Sequence, residues 1–412
     1  MKPQSLLPLD EALHQLLSHA QRLKHSELVS TFDADGRVLA EDIRAELNVP
    51  SFDNSAMDGY ALSVKDWQQL KGILKIGQRI PAGSSPSSLE PGHAARIFTG
   101  APVPDGADAV VMQEDCELLP DGLIKIPNPP SPNQCIRKAG EDIAKGSCIL
   151  SAGHRLDPSS LGLAASIGRA QLPVTQRPRV ALFSTGDELI MPGEIAPAEL
   201  PPGAIFNSNR FFLRHLLERL GCTVNDFGNL PDNFEQTKSK LLDAIHGHDL
   251  ILTSGGVSVG EEDHVKPAVQ ALGQLQLWAL AIKPGKPFAY GQLKAGDQSH
   301  VHFVGLPGNP VSSLVTFMLL VRPFVLALQG VKNLHLKPYS LRADFDWPKA
   351  DKRREFLRVK RNEHGGLDLF PNQSSGVLTS AVWADGLVDN PPGQTISVGD
   401  EVQFIPFLDW MS

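Results

Sequence analysis

The stretch Thr253-Ser254-Gly255-Gly256-Val257-Ser258 carries the residue types that hold an anion. Its glycines permit tight turns and let backbone N–H groups approach a ligand closely, while Ser254 and Ser258 add hydroxyl donors. The apolar run Leu250-Ile251-Leu252 precedes it, and Glu261-Glu262-Asp263-His264 leads into a helical pattern. The whole reads as a buried strand, a phosphate-sized loop and a helix N-terminus. A glycine-rich turn alone also serves simply to join a strand to a helix. The acids add weight, because carboxylates beside a phosphate loop repel the ligand unless a divalent cation lies between them. Asp263 beside this loop therefore points to magnesium with a phosphorylated substrate.

Other stretches carry chemistry of the same kind. Gly186-Asp187-Glu188 follows the strand-like Arg179 to Thr185, and Leu306-Pro307-Gly308-Asn309 follows another strand. Lys283-Pro284-Gly285-Lys286 sets two lysines on a stiff turn, where they could hold an oxyanion; solvated lysines are the ordinary alternative. Asp58 lies in Asp53-Asn54-Ser55-Ala56-Met57-Asp58-Gly59, which is either a structural turn or a site acid. Thr99-Gly100 ends a strand signal, where a hydroxyl and an amide can meet an anion, and Gly140-Glu141-Asp142 is an acidic turn.

The elements that must position these residues change texture along the chain. Its 412 residues, 42% hydrophobic and 20% charged, suffice for two to four domains with substantial cores. Ala12, Leu13, Leu16, Leu17, Ala20 and Leu23 have helical spacing, and from Tyr60 to about Ile143 the sequence is strand-like and punctuated by Gly and Pro. Asp157-Pro158 opens a compact helix that Gly168 stops. From Arg179, strands alternate with helices at 209–220, 234–245 and 311–328, which predicts a parallel sheet covered on both faces. Ligands gather at the carboxyl ends of such strands, where Glu188, Ser254 and Asn309 would meet. After Gly330, short alternating strands predict a small β-barrel or sandwich carrying Arg354 and Ser375.

Composition bounds the partners. A net charge of −8 without a basic run argues against nucleic acid, and Arg322 and Pro323 break the most apolar stretch, so it reads as a buried helix rather than a membrane span. Cys116, Cys135, Cys148 and Cys222 are scattered, indicating neither zinc knuckle nor disulfide framework, and with no export signal the expected compartment is cytoplasmic.

Taken in order, Pro50 to Tyr60, Ile97-Phe98-Thr99-Gly100-Ala101, Gly140-Glu141-Asp142, Phe183 to Leu189, Thr253 to Gly260, Lys283 to Pro287 and Gly305 to Pro310 resemble the molybdopterin molybdenumtransferase family, the bacterial MoeA proteins and the E domain of gephyrin, over essentially the full length. The resemblance implies an elongated N-terminal domain (1–49 with 144–176), a β-rich insert (50–143), a three-layer α/β molybdopterin-binding domain with a parallel-rich sheet (177–330) and a C-terminal β-barrel (331–412). It further implies a homodimeric transferase that inserts molybdate into adenylylated molybdopterin, releasing AMP and forming molybdenum cofactor. Carried onto this sequence, the site acids are Asp58, Asp142, Glu188, Asp232 and Asp263, with Thr99, Lys283, Lys286, Arg354 and Ser375 as substrate contacts. Glu188 and Asp263 are the expected Mg²⁺ ligands, and Ser254, Gly255, Gly256, Ser258, Pro307 and Asn309 complete the binding loops. A molybdopterin adenylyltransferase and recipient molybdoenzymes are expected partners. The competing functions are adenylylation itself, which a related α/β domain performs alone, and a non-catalytic gephyrin-like scaffold.

Overall fold

The structure is a computed structural model that describes residues 6–257, 264–296 and 300–411. At its centre is a six-stranded sheet, built from β1 (Arg179–Thr185), β2 (Thr223–Leu230), β3 (Leu250–Ser254), β4 (Gly273–Ala279), β5 (Pro287–Lys294) and β6 (His300–Leu306) in the order β2-β1-β3-β6-β5-β4. Four strands, β2, β1, β3 and β6, run parallel. Every residue of β3 is buried, as expected of a strand covered on both faces. The helices are α1 (Asn209–Arg219), α2 (Phe234–Ile245), α3 (Val265–Leu272), α4 (Pro310–Thr316) and α5 (Arg322–Leu328). Asn233 caps α2 by accepting the Gln236 amide at 3.1 Å.

One feature refines the expected parallel-rich sheet and a second departs from the sequence-based reading. The sheet is parallel-rich but mixed, because β4–β5 and β5–β6 pair antiparallel. Short links join these strands, and a parallel neighbour requires a crossover of about a dozen residues or more. The first helix also ends early: it spans Leu9–Ser18, so Ala20 and Leu23 lie beyond it, and the Leu23 amide instead donates to the Leu328 carbonyl at 2.8 Å.

The continuous run Pro310–Leu328 is core, with 83% of its most apolar window buried. It consists of α4, a π-helical turn at Phe317–Val321, and α5. Val315, Leu320 and Phe324 pack there with Leu213 and Leu217 of α1 and with Leu16 of the first helix.

Away from the sheet, Ser26–Ser30 pairs with Gln171–Thr175, and Ile43–Arg44 with Cys148–Leu150, bringing together two segments distant in sequence. Between them lies a second six-stranded sheet that includes Gly59–Leu62, Ile73–Ile80 and His93–Ile97. The C-terminal region is a closed five-stranded ring formed by β7 (Tyr339–Ala343), β8 (Arg354–Arg361), β9 (Gly366–Leu369), β10 (Gly386–Asn390) and β11 (Glu401–Pro406), with the β8–β10 pairing closing it. Outside the ring, Ile282–Lys283 joins β8 in parallel, Ile282 opposite Arg354 and Lys283 opposite Glu355.

One buried pair in the core has a measurable consequence. His302 Nδ1 lies 2.9 Å from the Tyr290 hydroxyl, and His19 stacks on the Tyr290 ring. Burial, reinforced by His19 and His300, lowers the His302 pKa from 6.5 to about 4. The unfolded chain therefore takes up a proton near pH 6.5 that the folded imidazole refuses until about pH 4. Stability falls as pH drops through that window, by up to about 3 kcal/mol. Urea denaturation of wild type and His302→Gln between pH 7.5 and 4 checks this, because the variant should lose that part of the pH dependence.

Candidate active site

The carboxyl ends of β1, β3 and β6 meet at one edge of the parallel sheet. The loop after β3 is held to β6 by the Gly255 amide, which donates to the Leu306 carbonyl at 2.9 Å. Gly255 and Gly256 have φ of 91° and 69°. A Cβ at Gly255 would collide with Thr185 Oγ1, and one at Gly256 with the Val265 side chain. Glycine is thus required here both by conformation and by close approach. The Thr185 hydroxyl donates to the Ser254 carbonyl at 3.3 Å, fixing β1 to the same loop.

Two adjoining clefts occupy this edge. The first, about 300 Å³, is lined by Glu188, Asp232, Gly255, Gly256, His264 and Pro307 among others. The second, about 600 Å³, is lined by Glu188, Asn207, Asn209, Ser254, Asn309 and Gly376 among others. They share Thr185, Glu188, Pro287, Pro307 and Gly308, so together they form a continuous trough with Glu188 at the junction. The Glu188 carboxylate lies against Gly186, where a Cβ would overlap it. Glu188 is exposed and makes no side-chain pairing among the described residues.

The structure therefore brings together Glu188, Asp232, Ser254, Gly255, Gly256, Pro307 and Asn309. Ser258 and Asp263 lie outside the described residues. Ser375 reaches the trough through its backbone: its carbonyl accepts the Val311 amide at 3.0 Å, in the first turn of α4, and neighbouring Gly376 lines the second cleft.

The cations are distributed less simply than their sequence positions imply. Lys283 Nζ lies 2.9 Å from Glu355 and 3.3 Å from Asp351. Burial opposes its charge, but the hydrogen bonds it donates to Glu355 and Asp351 prevail and raise its pKa. Lys286 is exposed and unpaired among the described residues. Arg354, expected to contact substrate, is already neutralised: Asp389 accepts two bonds of 2.6 Å and Asp10 a third of 3.1 Å.

The guanidinium that reaches the Ser375 loop is that of Arg358. It is 1% exposed and donates to Ser380 Oγ at 3.1 Å, to the Phe356 carbonyl at 3.1 Å and to the Ser374 carbonyl at 3.3 Å. No acid pairs with it among the described residues, and burial lowers its pKa to about 10. Asn207 and Asn209 are the other site residues that the sequence reading missed. Their only signal is Asn207-Ser208-Asn209 ahead of a helix, which equally marks an ordinary helix start.

Asp58, Thr99 and Asp142 lie along the chain between the paired strands Ile43–Arg44 and Cys148–Leu150 and line neither cleft. Asp58 accepts both the amide and the hydroxyl of Thr99, at 2.8 and 2.9 Å, and these bonds hold its carboxyl below the usual range. Asp142 is exposed, in a turn pinned by its amide to the Val49 carbonyl at 3.0 Å. Nearby, Asp53 accepts from Lys138 Nζ and the Ala139 amide, each at 2.8 Å.

Comparisons with known proteins cover nearly the whole chain. Residues 7–168 match the MoeA N-terminal region (domain I and II), 181–327 a probable molybdopterin binding domain, and 340–407 the MoeA C-terminal region (domain IV). The molybdopterin molybdenumtransferase of Haemophilus influenzae is 40% identical over 98% of this chain and 99% of its own length. That of Nostoc sp. is 34% identical over 92% and 88%. The crystal structure of the molybdopterin biosynthesis MoeA protein from Pyrococcus horikoshii OT3 superposes with a TM-score of 0.84 at 29% identity, covering 98% of this chain and 100% of that one.

Proposed function

Because the chain belongs to the MoeA family of molybdopterin molybdenumtransferases, we propose that it inserts molybdate into adenylylated molybdopterin, releasing AMP and leaving molybdenum cofactor. The observation that carries this reading is a glycine-amide loop, suited to phosphate, that shares one cavity with the carboxylates of Glu188 and Asp232.

Both substrates are anions and the chain itself carries −8, so the site must supply positive charge locally. The Gly256 amide and the Ser254 hydroxyl hold the phosphoanhydride, with the Gly255 amide fixing the loop against the Leu306 carbonyl. Lys286, exposed and without an acid partner among the described residues, and the uncompensated charge of the buried Arg358 offset the oxyanion toward the barrel, whereas Lys283 is already matched by Glu355 and Asp351. Sulfur ligation of molybdenum is the pterin dithiolene's chemistry, and the protein contributes position and electrostatics.

Among the described residues no group of three or more His, Cys, Asp or Glu side chains gathers as a metal site. Magnesium nevertheless fits, since it is commonly held by one or two carboxylates together with substrate phosphates. Glu188 and Asp232 would hold it, with Asp263 proposed as a further ligand from its place in the sequence. Bound there, the ion would screen the phosphoanhydride and favour departure of AMP.

Asp58, Thr99 and Asp142 are exposed away from the trough of their own subunit, which supports a homodimer whose insert domains reach across to orient molybdate or accept protons. The free cysteines support a reducing, cytoplasmic setting.

The test is turnover. With adenylylated molybdopterin and molybdate the protein should release AMP, and with molybdopterin and ATP it should leave ATP intact. ATP consumption would assign the adenylylation step instead. Retention of a partner peptide without turnover in either mixture would assign a scaffold.

A further inference from the structure

We infer that Asn209 is a positioning residue that fixes the Ser254 hydroxyl as a hydrogen-bond donor toward the anionic ligand of the trough, an inference that rests on the function proposed above and deepens it. Asn209 opens α1 and is 8% exposed. Its Nδ2 donates to Ser254 Oγ at 2.8 Å and to the Gly308 carbonyl at 2.7 Å. A primary amide nitrogen carries two hydrogens, and both are committed. The carbonyl can only accept, so the amide cannot be turned over without setting oxygen against oxygen.

The polarity of Ser254 follows. Its oxygen already receives a hydrogen from Asn209, so its own proton must point elsewhere, and no atom among the described residues accepts it. A hydroxyl held this way presents a donor to the second cleft, which Ser254, Asn209 and Gly308 all line. Asn209 Oδ1 has no partner of its own, so the two donated bonds alone register the amide.

The same side chain spans the loop after β3 and the turn after β6, and so sets their separation. Asn207 makes a parallel tie, donating from Nδ2 to Ser184 Oγ on β1 at 2.9 Å. The segment 207–209 thereby links the ends of three strands that carry the trough. At this point of the cleft a hydroxyl fixed as a donor favours a phosphate oxygen over a group that must donate.

Calorimetric titration of AMP into wild type, Asn209→Asp and Asn209→Ala, from pH 8 to pH 5.5, tests this, with thermal melting to show that each protein is folded. Asn209→Asp is nearly isosteric, but its carboxylate accepts the Ser254 proton, reversing the hydroxyl, and opposes the Gly308 carbonyl. At pH 8 it should weaken AMP binding about tenfold, and the deficit relative to wild type should narrow as the introduced carboxyl gains a proton. Asn209→Ala should weaken binding less, by a factor independent of pH, and it decides the matter should the acidic variant not fold. A purely architectural role gives no such pH signature. Wild-type binding together with folded variants of unchanged affinity would overturn the inference alone. Failure of the wild type to bind AMP would overturn the proposed function as well.

Discussion

Glu188→Gln should yield a folded protein whose AMP release from adenylylated molybdopterin is slowed on the order of a thousandfold. Glu188 is the acid common to both clefts, and its carboxylate rests on a glycine that leaves it room. It has no cationic partner among the described residues, so its charge serves no visible structural pair. An exposed side chain without such ties contributes little to folding, within about 0.5 kcal/mol. Glutamine preserves shape and removes only the charge, so a large rate loss at unchanged melting temperature isolates the electrostatic contribution. Single-turnover AMP release beside a thermal melt measures both quantities. A rate equal to wild type would exclude Glu188 from the chemistry.

Arg358→Met should cost about 3–5 kcal/mol of stability and, in the protein that remains folded, markedly weaken molybdate binding. The guanidinium is 1% exposed and serves Ser380 Oγ and the carbonyls of Phe356 and Ser374. Methionine fills similar volume but leaves those buried acceptors bare, at about 1–3 kcal/mol for each that stays dry. The loop carrying Ser374 and Ser375 loses its anchor too, and the Ser375 carbonyl is the group seated on α4 beside the second cleft. Urea denaturation reports the stability change, and equilibrium binding of radiolabelled molybdate reports the site. Normal stability would mean that water satisfies the acceptors, and undiminished binding would show that the oxyanion is held without this charge.

Much of this arrangement is legible in the sequence because the physical demands are local. Leu250-Ile251-Leu252 can be buried on both faces, and Gly255-Gly256 permits a loop that other residues would block, so strand, loop and anion site are read together. Pairing direction is less accessible: β4, β5 and β6 have strand-like composition, but the brevity of their links is what makes them antiparallel. Arg354 and Arg358 show another limit. Four residues apart in one strand, they share a face, and only the folded chain reveals that Asp389 and Asp10 neutralise the first while the second is buried without an acid. Asn209 looks like any polar residue at a helix start until Ser254 and Gly308, remote in sequence, arrive against it. The Asp58–Thr99 bonds likewise join residues whose candidacy is visible separately and whose contact is not.

The short strand Ile282–Lys283 belongs by sequence to the α/β layer, yet it hydrogen-bonds to β8 of the barrel. Swinging the barrel outward would tear this seam and separate Lys283 from Glu355 and Asp351. Movement of the C-terminal module relative to the central sheet therefore carries the cost of breaking backbone pairing and ion pairs together at this one seam.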